Sequence, residues 1–141
     1  MDEFAIKSSV DDSLIEFSNR LPDERALPIE LFSVRVSRSD LFAAAGVWAS
    51  YTGSNPAKWF LELAENWRGW QGERQWESIE HELRLVATND RRGHVAIRIR
   101  LRSGFWNDDW SVEATVQVDA GQLDGFARHA IKFFGEDGRY Q

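Results

Sequence analysis

Three histidines, His81, His94 and His129, are the side chains of this chain that change charge closest to neutral pH, so acid–base or metal chemistry would be built around them. The run "HELRL" at His81 to Leu85 opens like a zinc-protease helix, whose metal needs a second histidine one turn later, and that histidine is missing. His94 and His129 stand too far away in sequence to supply a ligand spacing, which leaves only a spatial cluster of the three open. With no cysteine, thiolate metal sites, disulfides and a cysteine nucleophile are excluded. The adjacent carboxylates Asp11 with Asp12, and Asp108 with Asp109, would point to opposite sides of a strand and are simpler as turn formers than as an acid–base pair. Serine is plentiful, but no nucleophile elbow holds one. No phosphate loop or dinucleotide fingerprint occurs. "GWQG" at Gly69 to Gly72 has the glycine spacing of an RNA-clamping loop without its basic residues. The expectation is a protein with no catalytic residue, no metal and no cofactor.

Binding chemistry has more material. Arg98, Arg100 and Arg102 alternate along one strand, with Arg91 and Arg92 at a turn, as a nucleic-acid stripe would require. A register with Leu85 opposite Ile97 would set Glu82 against Arg100 and Glu80 against Arg102, with Glu113 arriving from the next strand. The stripe would then be a neutralised cross-strand ladder, with no aromatic residue on its face for base stacking. Nucleic acid is therefore not the expected partner. Seven tryptophans are the other resource, three of them within "WRGWQGERQW" at residues 67–76. Trp59 and Trp67 fit the apolar face of a helix. Trp70 follows a terminating glycine, where an apolar residue folds back on the last turn, and Trp76 leads into a strand. These read first as the joint between helix and sheet. Should Trp48, Trp106 and Trp110 lie near Trp70 and Trp76, with His81 on the inward face of its strand, the group would form an aromatic cleft. Those six residues are the candidate ligand-binding positions.

The elements that must position them follow from periodicity. "ELRLVATNDRRGHVAIRIRLRSG" is two alternating runs about Asn89 to Gly93, a β-hairpin, with His81, Leu83, Leu85 and Ala87 facing Val95, Ile97, Ile99 and Leu101. Trp110, Val112, Ala114, Val116 and Val118 share one face of a third strand, completing an antiparallel meander over 76–118. Asn55 and Pro56 cap a helix over 55–68, whose Trp59, Phe60, Leu63, Ala64 and Trp67 recur at helical spacing until Gly69. Leu123, Phe126, Ala127, Ala130 and Phe134 repeat that period in a helix over 121–134, stopped by Gly135. Before these come an acidic region over 1–28, with strand candidates "EFAIKSS" and "SLIEFS", and a strand pair over 29–51. The alanines Ala43 to Ala45 are read as strand because Gly46, Val47 and Trp48 follow. An antiparallel sheet buries one face only if something covers it, and two amphipathic helices are available. The predicted fold is α+β in two layers: one mostly antiparallel sheet of about five to seven strands, covered on one face by two helices, as a single domain over 1–141.

The length suits one domain, and 43% hydrophobic with 28% charged residues is ordinary for a globular chain. Nothing approaches a membrane span, and the acidic start lacks the basic region of a secretory signal, so a soluble cytoplasmic protein is expected. Of the formal net charge of −6, residues 1–30 carry −5, from eight acids against three bases. A field of that sign repels phosphate backbones and favours a basic protein partner, beyond its service to solubility.

At "WRGWQGERQWESIEHELRLVATNDRRGHVAIRIRLR" the sequence resembles a family of small bacterial proteins known only as a domain of unknown function. The residues that carry the likeness are Trp67, Gly69, Trp70, Gly72, Trp76, Ser78, Glu80, Leu83, Leu85, Asp90, Gly93, His94 and Val95. A tryptophan-led strand and a phenylalanine-ended helix follow them, so that the likeness spans roughly residues 57 to 134 and leaves the first 40 unmatched. The resemblance implies an intact domain and brings no activity, cofactor or catalytic residue.

Two functions follow as expectations. The leading one is a non-catalytic interaction protein of the bacterial cytoplasm, such as an inhibitor or immunity protein for a basic toxin or nuclease, with homodimerisation left open. The alternative is a small-molecule-binding protein or minor enzyme, with a tryptophan-lined pocket near His81.

Overall fold

A computed structural model describes residues 3–24, 27–49, 55–103 and 110–135. The first half of the chain alternates apolar and polar residues with period two and folds into β1 (Phe4–Lys7), β2 (Leu14–Leu21), β3 (Leu31–Arg38) and β4 (Leu41–Trp48). These pair antiparallel in chain order. Helix α1 (Ala57–Glu65) follows, then β5 (Arg74–Glu77), β6 (Leu83–Asn89), β7 (His94–Arg102) and β8 (Ser111–Asp119), again antiparallel in chain order. A 3-10 turn at Ala120–Gln122 leads into α2 (Leu123–Phe134). The alanine run lies in β4, as its flanking residues predict.

The predicted single sheet of five to seven strands is corrected to two four-stranded sheets with two helices. Pairing stops between β4 and β5 because α1 intervenes, and the two strands are not neighbours in either sheet. The fourth strand of the second sheet, β5, has a charged sequence, RQWE, that carries no apolar alternation.

The inner faces of both sheets and the apolar faces of both helices form one cluster of buried residues. Its centre is aromatic. Phe17 meets Phe32, Phe60 and Phe134 at ring-centroid distances of 6.3, 6.4 and 5.6 Å, and Phe4 stacks on Phe17 at 5.2 Å. In α2 the predicted positions Leu123, Phe126, Ala127, Ala130 and Phe134 are all buried, and Gly135 ends the helix at φ 91°. In α1 the Asn55 side chain accepts from the Ala57 N–H at 2.9 Å, the expected cap. The helix, however, ends at Glu65 rather than 68. Trp67 therefore lies beyond it, 47% exposed, where the periodicity had placed it in the core.

One buried cation ties the first sheet to α2. Asn19 adopts φ 53° at a bulge in β2, which shifts the alternation by one residue and turns Arg20 inward. Its guanidinium donates to the last helix carbonyls, Phe133 O at 2.9 Å and Phe134 O at 3.3 Å, and to Pro22, Glu24 and Leu27 carbonyls in the loop after β2. A cation at a helix C-terminus also meets the negative end of the helix dipole.

Candidate functional site

The tryptophans of the 67–76 segment build a joint. The Trp59 indole N–H donates to Arg74 O at 3.1 Å, fixing α1 to β5, and the Trp70 N–H donates to Ala87 O at 3.3 Å on β6. Trp70 is 5% exposed, with the Arg74 guanidinium over its ring. Trp76, opposite Leu85, is half-buried against the core. Gly69, at φ 149°, lies so close to the hairpin tip that a Cβ there would stand 2.8 Å from Arg91 Cγ, and Asn89 Nδ2 donates to Trp67 O. The chain between helix and sheet is thus clamped onto the β6–β7 turn.

That hairpin also corrects the register. Leu85 faces Ile99, not Ile97, and the loop centre sits one residue later. The cause is local: Asn89 accepts from Arg91 N–H, and Asp90 from the N–H groups of Arg92 and His94, so that paired Asx turns shape the tip. The face of each residue survives a shift of two, but the charge partners change. Arg84 now stands opposite Arg100, while Glu77 from β5 bonds Arg100 at 2.8 Å and Glu73 lies 3.7 Å from Arg98. Among the described residues the acids paired with this stripe are Glu73 and Glu77, not Glu80 or Glu82, and Glu113 arrives from β8 opposite Arg100.

His81 is not on an inward strand face. It occupies the turn before β6 at φ 67°, its side chain 54% exposed and its Nδ1 3.1 Å from Glu77. Glu77 is partly buried, which opposes its ionisation, yet hydrogen bonds from Arg100 and His81 hold its carboxyl below the usual range. His94 pairs with Asp90 at 2.8 Å, and His129 is exposed, so the three histidines are not brought together.

Glu82 was missed, because alternation placed it outward. It is 1% exposed and joins the sheets at a corner: Ser78 donates to Oε1 at 2.7 Å, the Trp48 N–H to Oε2 at 3.0 Å, and its carbonyl accepts from Arg102 N–H. Ser103, the next residue, donates to Trp110 O at 3.1 Å. Trp48 and Trp110 therefore share this corner, at the Leu83 end of β6. Trp70 is held by Ala87, four residues or about 13 Å along the strand. Trp106 lies outside the described residues. Of the five described candidates, Trp70 is held apart from the corner that Trp48 and Trp110 share, Trp70 and Trp76 pack against the core, and Trp48 is 50% exposed.

Trp48 belongs to a different surface. On β4 the residues Phe42, Ala44, Gly46 and Trp48 face outward, and Phe42 is 67% exposed. The Trp48 N–H points to Glu82, away from β3, while Ala49 N–H donates back to Glu30 O at 2.9 Å. By strand parity the N–H and C=O groups of Phe42, Ala44 and Gly46 also point away from β3, where β4 pairs with no other strand among the described residues. No charged residue lies between Asp40 and Lys58. Edges are usually blunted by charge, shortness or cover, and the other three here are. β1 is four residues long and meets β8 where Ser9 N–H donates to Gln117 O and Gln117 N–H to Ser8 Oγ. β5 is also four residues and lies among Glu73, Arg74 and Glu77. Beside the Phe42 end of β4 stand the turn residues Asp11, Asp12 and Asp40, all exposed, Asp40 being paired with Arg38 at 3.0 Å.

The architecture is that of an α+β protein of two antiparallel four-stranded sheets with two helices, and among the described residues no strand pairs with the outer edge of β4. Residues 6–137 match a family described as "Family of unknown function (DUF6228)", and the chain belongs to that family. The match reaches back to residue 6, so residues 6–40, unmatched in the sequence resemblance, are covered by the family as well. No curated protein and no solved structure gives a match.

Proposed function

We propose that this protein is a non-catalytic interaction module whose working surface is the open β4 edge. The observation that carries the reading is the coincidence, on one uncharged eight-residue strand, of unpaired backbone groups with exposed Phe42 and Trp48. Main-chain hydrogen bonds to an added strand supply affinity, and the alternate side chains supply selection. The exposed acids at the Phe42 end and the net charge of −6 favour a basic partner, consistent with an inhibitor or immunity-type role in the bacterial cytoplasm. The pocket alternative would need a closed cavity around His81, whose side chain stands 54% exposed in a turn.

The test is retrieval from native lysate with the tagged chain and its Ala44→Lys variant, which places a charge at mid-edge. One stoichiometric basic protein, retained by the wild type and lost by the variant, is the expected result. Retention of a small molecule alone, or a partner indifferent to Ala44→Lys, overturns the reading.

A further inference from the structure

We infer that, in the absence of a heterologous partner, the β4 edge is closed by β4 of a second copy of this chain, forming a two-fold antiparallel pair centred on Ala44. The inference rests on β4 being the interaction surface and names the strand that occupies it.

Hydrogen bonding and shape select the register. The groups open for pairing are those of Phe42, Ala44 and Gly46, because Trp48 N–H is already held by the Glu82 carboxylate at 3.0 Å. A pair placing Phe42 opposite Trp48 of the second copy would ask that N–H to serve twice. The register that uses all three open positions and no other sets Ala44 opposite Ala44 and Phe42 opposite Gly46, twice over, as an isologous contact demands. The Phe42 ring then lies over a residue without a side chain, the arrangement in which an aromatic covers a strand glycine.

Gly46 supports this independently. Its backbone has no positive φ, and an added Cβ would find only Leu31 Cδ1 at 3.6 Å, an ordinary contact. Nothing within one subunit requires glycine there, although a glycine inside a strand weakens it. Room for Phe42 of the second copy is a reason outside the subunit. The paired strands themselves carry no charge, and Arg35, the nearest cation across β3, is 3.5 Å from its own Glu16, but the net charge of −6 on each copy opposes the pairing and weakens it. The contact is small, so association is weak and concentration-dependent.

Two measurements decide it, both on the full purified chain. Sedimentation velocity over roughly 5 to 500 µM is expected to show a dimer fraction rising with concentration for the wild type and absent in Ala44→Lys at unchanged circular dichroism. Because the chain has no cysteine, Ala44→Cys puts a single thiol on the two-fold axis, where opposed Cα atoms of a hydrogen-bonded pair stand at about 5.5 Å, within disulfide reach. Mild oxidation is expected to link Ala44→Cys into dimers at least tenfold faster than a control, Thr115→Cys, on the exposed face of β8. A wild type that stays monomeric throughout, a dimer that survives Ala44→Lys, or equal cross-linking of both cysteines overturns the inference; should Ala44→Lys fail to fold, the cysteine pair decides alone. A monomeric wild type that still captures a basic protein through β4 removes self-pairing and leaves the proposed function standing. A dimer that captures nothing does the reverse.

Discussion

The two sheets have the same strand count and the same up-and-down order, and differ on the side that faces away from the core. Across the second, Arg98 and Arg100 are matched by Glu73 and Glu77, and its short edge strand β5 is lined with charge. Across the first, Ser33, Ala44 and Gly46 lie between Phe42 and Trp48, and the edge strand is long and uncharged. Inside, both contribute to one apolar cluster. The difference teaches that two sheets sharing one core can end differently: among the described residues the second sheet's edge strand is short and charged, while the first ends on a long uncharged strand with no further strand paired to it.

If the sheets differ only outside, truncation on either inner face must be felt by the whole molecule. Phe32→Ala in β3 is expected to cost about 3–5 kcal/mol and Leu85→Ala in β6 about 2–5 kcal/mol. Both residues are fully buried. Urea unfolding followed by tryptophan fluorescence and by far-ultraviolet circular dichroism should give coincident single transitions for each. A variant that melts one sheet and spares the other would break the comparison at its base.

Each sheet also carries one buried charge that connects it to something else, and these come next in size. Arg20→Met leaves five carbonyls without their donor, including two at the end of α2. Glu82→Ala orphans the Ser78 hydroxyl and the Trp48 N–H. Losses of about 2–4 kcal/mol are expected for each, read from the denaturation midpoint. Glu82→Ala has a second consequence that Arg20→Met lacks. It frees the Trp48 N–H, lengthening the open edge by one hydrogen-bonding position, and self-association should tighten even as the subunit weakens.

These two residues also mark where sequence reasoning ended. Period-two and period-3.6 patterns located β1 to β4, the hairpin, the third meander strand and both helices, because burial of one face imposes those periods. Arg20 and Glu82 break the pattern by one residue each, the first through the αL conformation of Asn19 and the second through the turn at His81. Neither conformation leaves a mark in composition, although an asparagine shortly before a proline is the kind of site where a bulge forms. Trp67 was misplaced because helical spacing continues in sequence for a turn after the helix has stopped. Trp48 was placed among the binding candidates for its aromatic character alone; the open edge that gives it a role depends on which strands remain unpaired, a property of topology that spacing does not contain.

Outer-face substitutions are smaller and should separate the sheets cleanly. Phe42→Ser is expected to shift stability by less than about 0.5 kcal/mol, since its side chain stands mostly in water. Arg100→Ala, which leaves Glu77 without its closer partner, is expected to cost about 0.5–1 kcal/mol. Thermal melts at low concentration check both. A larger loss from Phe42→Ser than from Arg100→Ala would mean that the first sheet's outer face is structural, against its proposed role as an interaction surface.

The smallest effect is on pH dependence, and it should fall mainly on the second sheet. Glu77 is held below its ordinary value of 4.5 despite partial burial, by Arg100 and His81. Asp90 is held below 3.8 by the backbone N–H of Arg92, with further bonds from His94. Beside the first sheet the Asp11 turn shows the same depression, through the Ser13 N–H. For each, the folded carboxyl is the stronger acid, so the unfolded chain takes up the proton first as pH falls. The stabilisation is therefore complete at neutral pH, begins to fade near the ordinary values, and is lost as pH drops through the lower folded ones. Denaturation midpoints measured between pH 7 and pH 3 should be level above about pH 6 and decline below about pH 4.5. Glu77→Gln and Asp90→Asn should each flatten that decline, and Asp11→Asn should flatten it by one carboxylate's share. A decline that begins above pH 6, or that is unchanged in both second-sheet variants, would place the acid sensitivity elsewhere and remove charge pairing as the feature that finishes that surface.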